Sequence, residues 1–359
     1  KIFNDWLYRS LDFLEISCPC ALVISIPLGY FGGIGLASRN GILFKGSNYL
    51  DVMTKIDTVV MDKTGTLTKG VFKVQQIVPV GIDEKELLKI TAAIEGKSTH
   101  PIATAITKHA GDLIKNVVVQ NIEEISGHGL KGNIDGKEVL AGNLKLLKKF
   151  SISYDAAVES IVDTIVVVAV NNKYAGYITI SDEIKEDAAQ AIKDMHSLNI
   201  KTVMLSGDKQ TVVDKVAQIL KIDNAFGNLL PEDKVNKVQA LKNENRTIAF
   251  VGDGVNDAPV IALADAGVAM GGLGSDATIE TADIVIQNDM PSKIVTAIKI
   301  GKVTRKIVWQ NIGMAMVVKI IVLALGAGGV ATLWEAVFAD VGVALLAILN
   351  AVRVQKMKV

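Results

Sequence analysis

The sequence predicts a doubly wound α/β domain carrying an inserted α+β unit and flanked by membrane-spanning helices. Three observations support this. Short β-branched, wholly apolar runs alternate with helical patterns in the middle of the chain; the stretch between them switches to alternating strands and hairpin signals; and long apolar segments sit at both ends. The chain has 359 residues, 50% of them hydrophobic and 21% charged, with a mean hydropathy of +0.36 and a formal net charge of +0. A neutral balance gives no bulk basicity for reading nucleic acid, so no nucleic-acid partner is expected. Two cysteines, Cys18 and Cys20, cannot build the disulfide framework of a small secreted protein.

The apolar segments, in order, are residues 11–37, 307–330 and 337–352. Each is about long enough to cross a bilayer core as a helix. Arg39, Lys45, Lys302, Arg305, Lys306, Arg353, Lys356 and Lys358 flank them on one side, whereas the link at 328–335 has no Lys or Arg. The positive-inside rule therefore puts the large middle in the cytoplasm. A lipid bilayer is the expected partner, most simply the plasma (inner) membrane. The chain starts at Lys1 and runs almost directly into apolar sequence, so it reads as a piece of a longer protein.

Within the middle, residues 58–61, 202–205, 247–251 and 267–270 read as buried parallel strands, with helices at 187–198 and 209–220. Ile134-Asp135-Gly136 signals a hairpin inside the inserted unit. The expected division is 1–37 membrane helix, 38–68 first part of the α/β domain, 69–178 inserted unit, 179–304 second part, and 305–359 two membrane helices with a cytoplasmic tail.

Open α/β sheets bind ligands beyond the carboxyl ends of their strands. Four segments there carry chemistry: Asp62-Lys63-Thr64-Gly65-Thr66-Leu67-Thr68, Ser206-Gly207-Asp208, Pro231-Glu232-Asp233-Lys234 and Gly252-Asp253-Gly254-Val255-Asn256-Asp257. A carboxylate can attack a phosphoryl group only where cations and donors hold the developing charge. Asp253 and Asp257 offer the hard oxygens magnesium prefers. Lys234 can neutralise the phosphoryl, and Ser206 and Gly207 bring a hydroxyl and backbone amides to its oxygens.

These segments resemble those of the P-type ATPases, whose phosphorylation domain is haloacid-dehalogenase-like. The resemblance implies that Asp62 is phosphorylated by ATP, with magnesium held by Asp62, the Thr64 carbonyl and Asp253. Ser206 stands where that family usually has threonine. Related phosphatases carry a second aspartate two positions after the nucleophile; here Thr64 occupies it, so water activation is poor and an aspartyl-phosphate persists. A pump needs that persistence through a conformational change.

In the inserted unit, Glu95, Ser98, His100 and Pro101 precede Gly127, Gly129, Gly132, Gly142 and Asn143. The glycine pattern does not join a strand to a helix, which disfavours a Rossmann site. The glycines read instead as letting a base and its phosphates approach backbone. The combination resembles the nucleotide-binding domain of heavy-metal P-type ATPases, which implies ATP contacts from Glu95, His100, Gly127, Gly129, Gly142 and Asn143.

Cys18-Pro19-Cys20 lies within the first apolar segment. Proline should interrupt the helix there and turn both thiols toward one cavity, and thiolates suit zinc, cadmium or cuprous copper. Lys319 and Asp340 are the ionisable residues of the last two segments. Counting rise from Lys306 and Trp334 puts both at about 10 Å from the outer face of an approximately 30 Å core, where they can meet. Cys-Pro-Cys is the ion-site signature of the metal-transporting subfamily, and a carboxylate suits zinc better than a soft monovalent ion. The expected cargo is therefore Zn2+, and resemblance to that subfamily's zinc, cadmium and lead branch implies Cd2+ and Pb2+ as well, bound by Cys18, Cys20 and Asp340 with Lys319 as counter-charge. A cuprous pump, a membrane metal receptor or regulatory subunit without turnover, and a soluble phosphatase are the alternatives. The resemblance further implies an actuator domain and membrane helices ahead of Lys1.

Overall fold

The structure, a computed structural model, describes residues 20–98, 100–115, 117–254, 257–271, 276–328 and 333–357, together with positions 3, 6, 7, 10, 11, 13 and 14. The chain forms two compact units. The first comprises Lys1–Thr66, Glu186–Gly207 and Ala217–Val359, and the second Leu67–Lys185 with Asp208–Val216.

Among the described residues, the first unit holds a seven-stranded sheet in the order Ile42–Phe44, Ile284–Ile286, Ala266–Met270, Ile248–Gly252, Thr58–Asp62, Lys201–Leu205, Asn224–Phe226. All neighbours run parallel except the edge strand Ile42–Phe44, which is antiparallel to Ile284–Ile286. Thr58–Asp62, Ile248–Gly252 and Ala266–Met270 are buried at every position. That double-sided burial is why these strands read as continuous apolar runs rather than alternating ones. Val60, Val203, Leu205, Ile248, Phe250 and Val260 form the core on one face. Register pairs Asp62 with Leu205 and Met61 with Val251, so Asp62, Ser206 and Asp253 emerge at one end of the sheet.

Among the described residues, three helices in this unit are long and apolar enough to cross a membrane: Ala21–Arg39, Ser292–Ala327 and Val337–Lys356. The second is a single helix of 36 residues that starts well before position 307, where the apolar segment begins, because residues 292–306 are amphipathic and pack on the globular part. Its N-terminal residue is held by Asp187, whose Oδ2 accepts from Ser292 N at 2.8 Å. A Cβ on Gly33 would clash with Thr304, and one on Gly301 with the Leu50 carbonyl, so these glycines permit close helix approach.

The second unit is a six-stranded antiparallel sheet in the order Thr68–Pro79, Lys173–Ile184, Thr164–Val170, Lys137–Gly142, Gly129–Ile134, Val119–Ile125. Helices Glu84–Glu95 and Pro101–Ala110 cover one face through Leu87, Ile94 and Ile106, and Leu146, Leu147 and Val158 cover the other. Asp135 (φ 49°) and Gly136 (φ 75°) make the two-residue turn between paired Ile134 and Lys137. The strand Lys173–Ile184 runs through position 178, where the sequence suggested a boundary; Ile178, Thr179 and Ile180 are buried in one continuous strand, so composition gives no sign of an edge there. Lys215 joins Asp208–Val216 to this unit through a 2.8 Å ion pair with Asp163.

Candidate phosphoryl-transfer, nucleotide and cargo sites

At the carboxyl end of the parallel sheet, Lys234 Nζ lies 2.6 Å from Asp62 Oδ1 and 2.8 Å from Asp257 Oδ1. Lys234 is presented by the first turn of helix Pro231–Asn243, whose start is fixed by proline and by Asp233 Oδ2 accepting from Leu230 N. Asp257 immediately precedes helix Ala258–Leu263. Carboxylate oxygens of Asp62, Asp253 and Asp257 lie within 4.8 Å of one another. Lys234 thus pairs with two of these three carboxylates, and together they form a hard-oxygen set that suits a divalent magnesium ion.

Burial, first, and the Asp257 charge push the Asp62 carboxyl up to about 7 against the pull of Lys234, with Asp253 adding to the rise. Burial would lower Lys234, but Asp62 and Asp257 outweigh it and hold its ammonium above the ordinary lysine value.

The loop after Asp62 turns at Gly65 (φ 72°, ψ −25°), with Thr64 extended before it. Lys63 is buried within that loop. Ser206 is buried at the end of the neighbouring strand, where its backbone exchanges hydrogen bonds with Phe226 and Leu229. Gly207 is exposed and Asp208 half-buried beyond it. Asn256 lies outside the described residues. Two participants escaped the sequence reading. Thr278 Oγ1 donates to the Gly254 carbonyl at 2.8 Å and steadies the Asp253 loop, and Thr66 Oγ1 is buried without a hydrogen-bond partner among the described residues. Only Thr66 carried a signal, as part of the Asp62 motif.

In the second unit, Glu95, His100, Gly127, Gly129, Gly142 and Asn143 line one cavity of about 320 Å3, joined by Ser98, Glu124 and His128. His100 caps helix Pro101–Ala110: its Nδ1 accepts from Ile102 N at 3.3 Å, which leaves Nε2 to carry the proton. Asn143 caps Leu144–Lys149 and donates to the Gly127 carbonyl at 2.9 Å. Two of these glycines answer a packing need. Gly129 and Gly142 face each other in the sheet, and a Cβ on either would strike the other strand's backbone. His128 went unnoticed in the sequence, although it sits between Gly127 and Gly129.

Burial pushes the Glu95 carboxyl up to about 7. The unfolded chain titrates near 4.5, so between these values the folded unit holds the extra proton and its stability falls as pH rises, levelling off above about 7. Hydrogen exchange across residues 67–185 should register a loss of at most roughly 3 kcal/mol between pH 4.5 and 7. Glu95→Gln should flatten that slope; an unchanged slope would place the titrating group elsewhere.

In the membrane-length helices, Lys319 Nζ lies 3.9 Å from Asp340 Oδ1. Cys18 and Pro19 fall outside the described residues, and Cys20 begins helix Cys20–Arg39.

Residues 56–265 match the family described as haloacid dehalogenase-like hydrolase. The chain is 54% identical to the cadmium, zinc and cobalt-transporting ATPase of Bacillus subtilis (strain 168), over 99% of this chain and 51% of that protein. A crystal structure of a zinc-transporting PIB-type ATPase in the E2.Pi state superposes with a TM-score of 0.91 at 36% identity, over 98% of this chain and 58% of that one. The catalytic domain of the CPx-ATPase CopB-B, solved for its conformational changes upon nucleotide binding, is 31% identical with a TM-score of 0.58, over 73% of this chain and 97% of that domain. The chain spans about half the length of the curated relatives it matches. With Asp62, Lys234, Asp253 and Asp257 gathered at the sheet end, the chain belongs to the haloacid dehalogenase-like hydrolases and carries a catalytic domain of the CPx-ATPase kind.

Proposed function

We propose that this chain supplies the phosphorylation, nucleotide and cargo-binding parts of an ATP-driven exporter of soft divalent metal ions: zinc, cadmium and lead. The observation that carries this reading is the Lys319–Asp340 pair, placed on membrane-length helices that belong to the same compact unit as Asp62. A carboxylate with a neighbouring ammonium suits a divalent ion that must be bound and then expelled. The plasma (inner) membrane is the proposed location, with both globular parts cytoplasmic, since Arg39, Arg305 and Arg353 mark the same end of the three helices.

In the proposed reaction an Asp62 oxygen attacks the terminal phosphorus of ATP; the O–P bond forms as the bond to ADP breaks. Lys234 neutralises charge on the transferring group, and Ser206 donates to its oxygens. Asp62, the Thr64 carbonyl and Asp253 would hold magnesium, which would offset the negative charge of the phosphate oxygens. Glu95, His100, Gly127, Gly129, Gly142 and Asn143 hold the nucleotide. Thr64 offers no acid or base to activate water, so the acyl phosphate survives long enough to drive transport. Cys18, Cys20 and Asp340 take the cargo, and Lys319 replaces it in the emptied site.

The test is metal-stimulated ATP hydrolysis by the intact transporter. Zinc, cadmium and lead should stimulate it and cuprous copper should not. Asp340→Ala should reduce zinc stimulation about 100-fold or more, and Lys319→Ala should lower turnover about tenfold with zinc still bound. Copper-stimulated turnover that survives Asp340→Ala would transfer the assignment to a cuprous pump.

A further inference from the structure

Lys319 and Asp340 meet at the end of a ladder whose base is polar. Asn311, fully buried in helix Ser292–Ala327, donates from Nδ2 to the Ala347 carbonyl of helix Leu333–Arg353 at 2.9 Å. Its Oδ1 accepts from Asn350 Nδ2 at 2.9 Å, and Asn350 Oδ1 accepts from Arg353 Nη1 at 2.7 Å. Midway along, Ala315 and Val343 pack in one buried cluster. The helices are antiparallel. From the Asn311–Ala347 bond, eight residues forward on one helix and seven back on the other lead to Lys319 and Asp340, climbs of about 12 Å and about 10.5 Å. The amide contact and the ion pair therefore lie on the same register, within one residue.

The stripe between them cannot set that register alone. It is built of interchangeable small and aliphatic side chains, among them Ala315, Val318, Val343 and Ala344, with Ala21 and Leu22 of helix Cys20–Arg39 completing the cluster. In lipid no hydrophobic gain separates one such alignment from the next. A slip of one turn, about 5.4 Å, would exchange apolar contacts for similar ones. It would also leave the Asn311 amide unbonded in an apolar setting and carry Lys319 out of reach of Asp340. A single buried amide that specifies register is an established device in helix pairs.

We infer that Asn311, backed by Asn350, is a positioning residue that fixes the register of the two helices and so holds Lys319 against Asp340. The inference rests on the cargo role proposed above for that pair. Asn311 acts through the pair, so removing it should reproduce the loss of Lys319 and add nothing once Lys319 is gone.

The experiment uses the full-length transporter, with zinc-stimulated turnover, zinc retention and phosphorylation of Asp62 from inorganic phosphate as readouts. Asn311→Leu, close in volume but without the amide, should lower zinc-stimulated kcat about tenfold while labelling from phosphate stays within about twofold. In a Lys319→Ala background, Asn311→Leu should change turnover by less than about twofold. Asn350→Leu keeps the bond to Ala347 and should give a smaller loss, about threefold; it carries the test if Asn311→Leu fails to insert. An Asn311→Leu protein with normal turnover would overturn the inference, as would a further tenfold loss on top of Lys319→Ala, because additivity means the amide acts elsewhere. If Lys319→Ala itself leaves turnover untouched, the cargo reading falls and this inference with it.

Discussion

Asp62→Asn in the intact transporter is expected to abolish the acid-stable, hydroxylamine-sensitive label formed from ATP and magnesium, a loss of about 10⁴-fold or more. An amide nitrogen or carbonyl cannot replace the carboxylate as nucleophile, and the change nearly preserves volume, so the buried position at the end of strand Thr58–Asp62 should remain filled. Removing one charge from a cluster of three carboxylates also relieves the repulsion by Asp257 that helps raise the Asp62 carboxyl to about 7. Fold stability should therefore be equal to or greater than that of the parent. Nucleotide affinity should stay within about twofold, because the residues lining the 320 Å3 cavity belong to the second unit. Persistent labelling would show that another group accepts the phosphoryl.

Gly65→Ala should be nearly as damaging, and for a steric reason. The added methyl would fall inside the Asp253 carboxylate, at a backbone φ of 72° that already disfavours a side chain. Either the loop after Asp62 or the Asp253 loop must then move, and Thr278 Oγ1 bonded to Gly254 resists the second. Phosphorylation from ATP is expected to fall about 10²-fold or more, with a weaker response to magnesium, since the Asp62–Asp253 geometry is what changes. A variant that phosphorylates normally and keeps its magnesium dependence would mean that the two loops stand farther apart in the working enzyme.

The first unit was legible because its strands are buried on both faces and its chemistry sits in short loops directly after them. Asp62, Ser206 and Asp253 could be aligned from strand ends alone, before any register was known. Lys234 was placed beside the Asp62 phosphoryl group from its segment, but its second partner, Asp257, was not readable, because helix Pro231–Asn243 meets it only through tertiary packing. Gly129 and Gly142 were noticed for the right neighbourhood and an incomplete reason. Their missing side chains relieve contacts between two strands, and a sequence cannot tell a close strand from a close ligand. His100 and Asn143 cap helices Pro101–Ala110 and Leu144–Lys149, a role the sequence reading did not consider. Thr278 was invisible: nothing local distinguishes a threonine that bonds a loop carbonyl 24 residues away. The apolar pattern found the membrane-length segments but missed the start of the second helix at Ser292, since hydropathy ends where a helix leaves lipid and the helix itself does not.

That 36-residue helix has mechanical meaning. It contains no proline, and its first residue is tied to Asp187 at the edge of the globular part. Lys319 stands 27 residues farther along, about 40 Å at 1.5 Å per residue. A stiff lever of that length amplifies: a tilt of about 5° at the Ser292 end swings Lys319 by about 3.5 Å, comparable to the 3.9 Å that separates it from Asp340. Rearrangements around Asp62 can thus be smaller than a side-chain rotamer change and still make or break the ion pair between the two membrane-length helices.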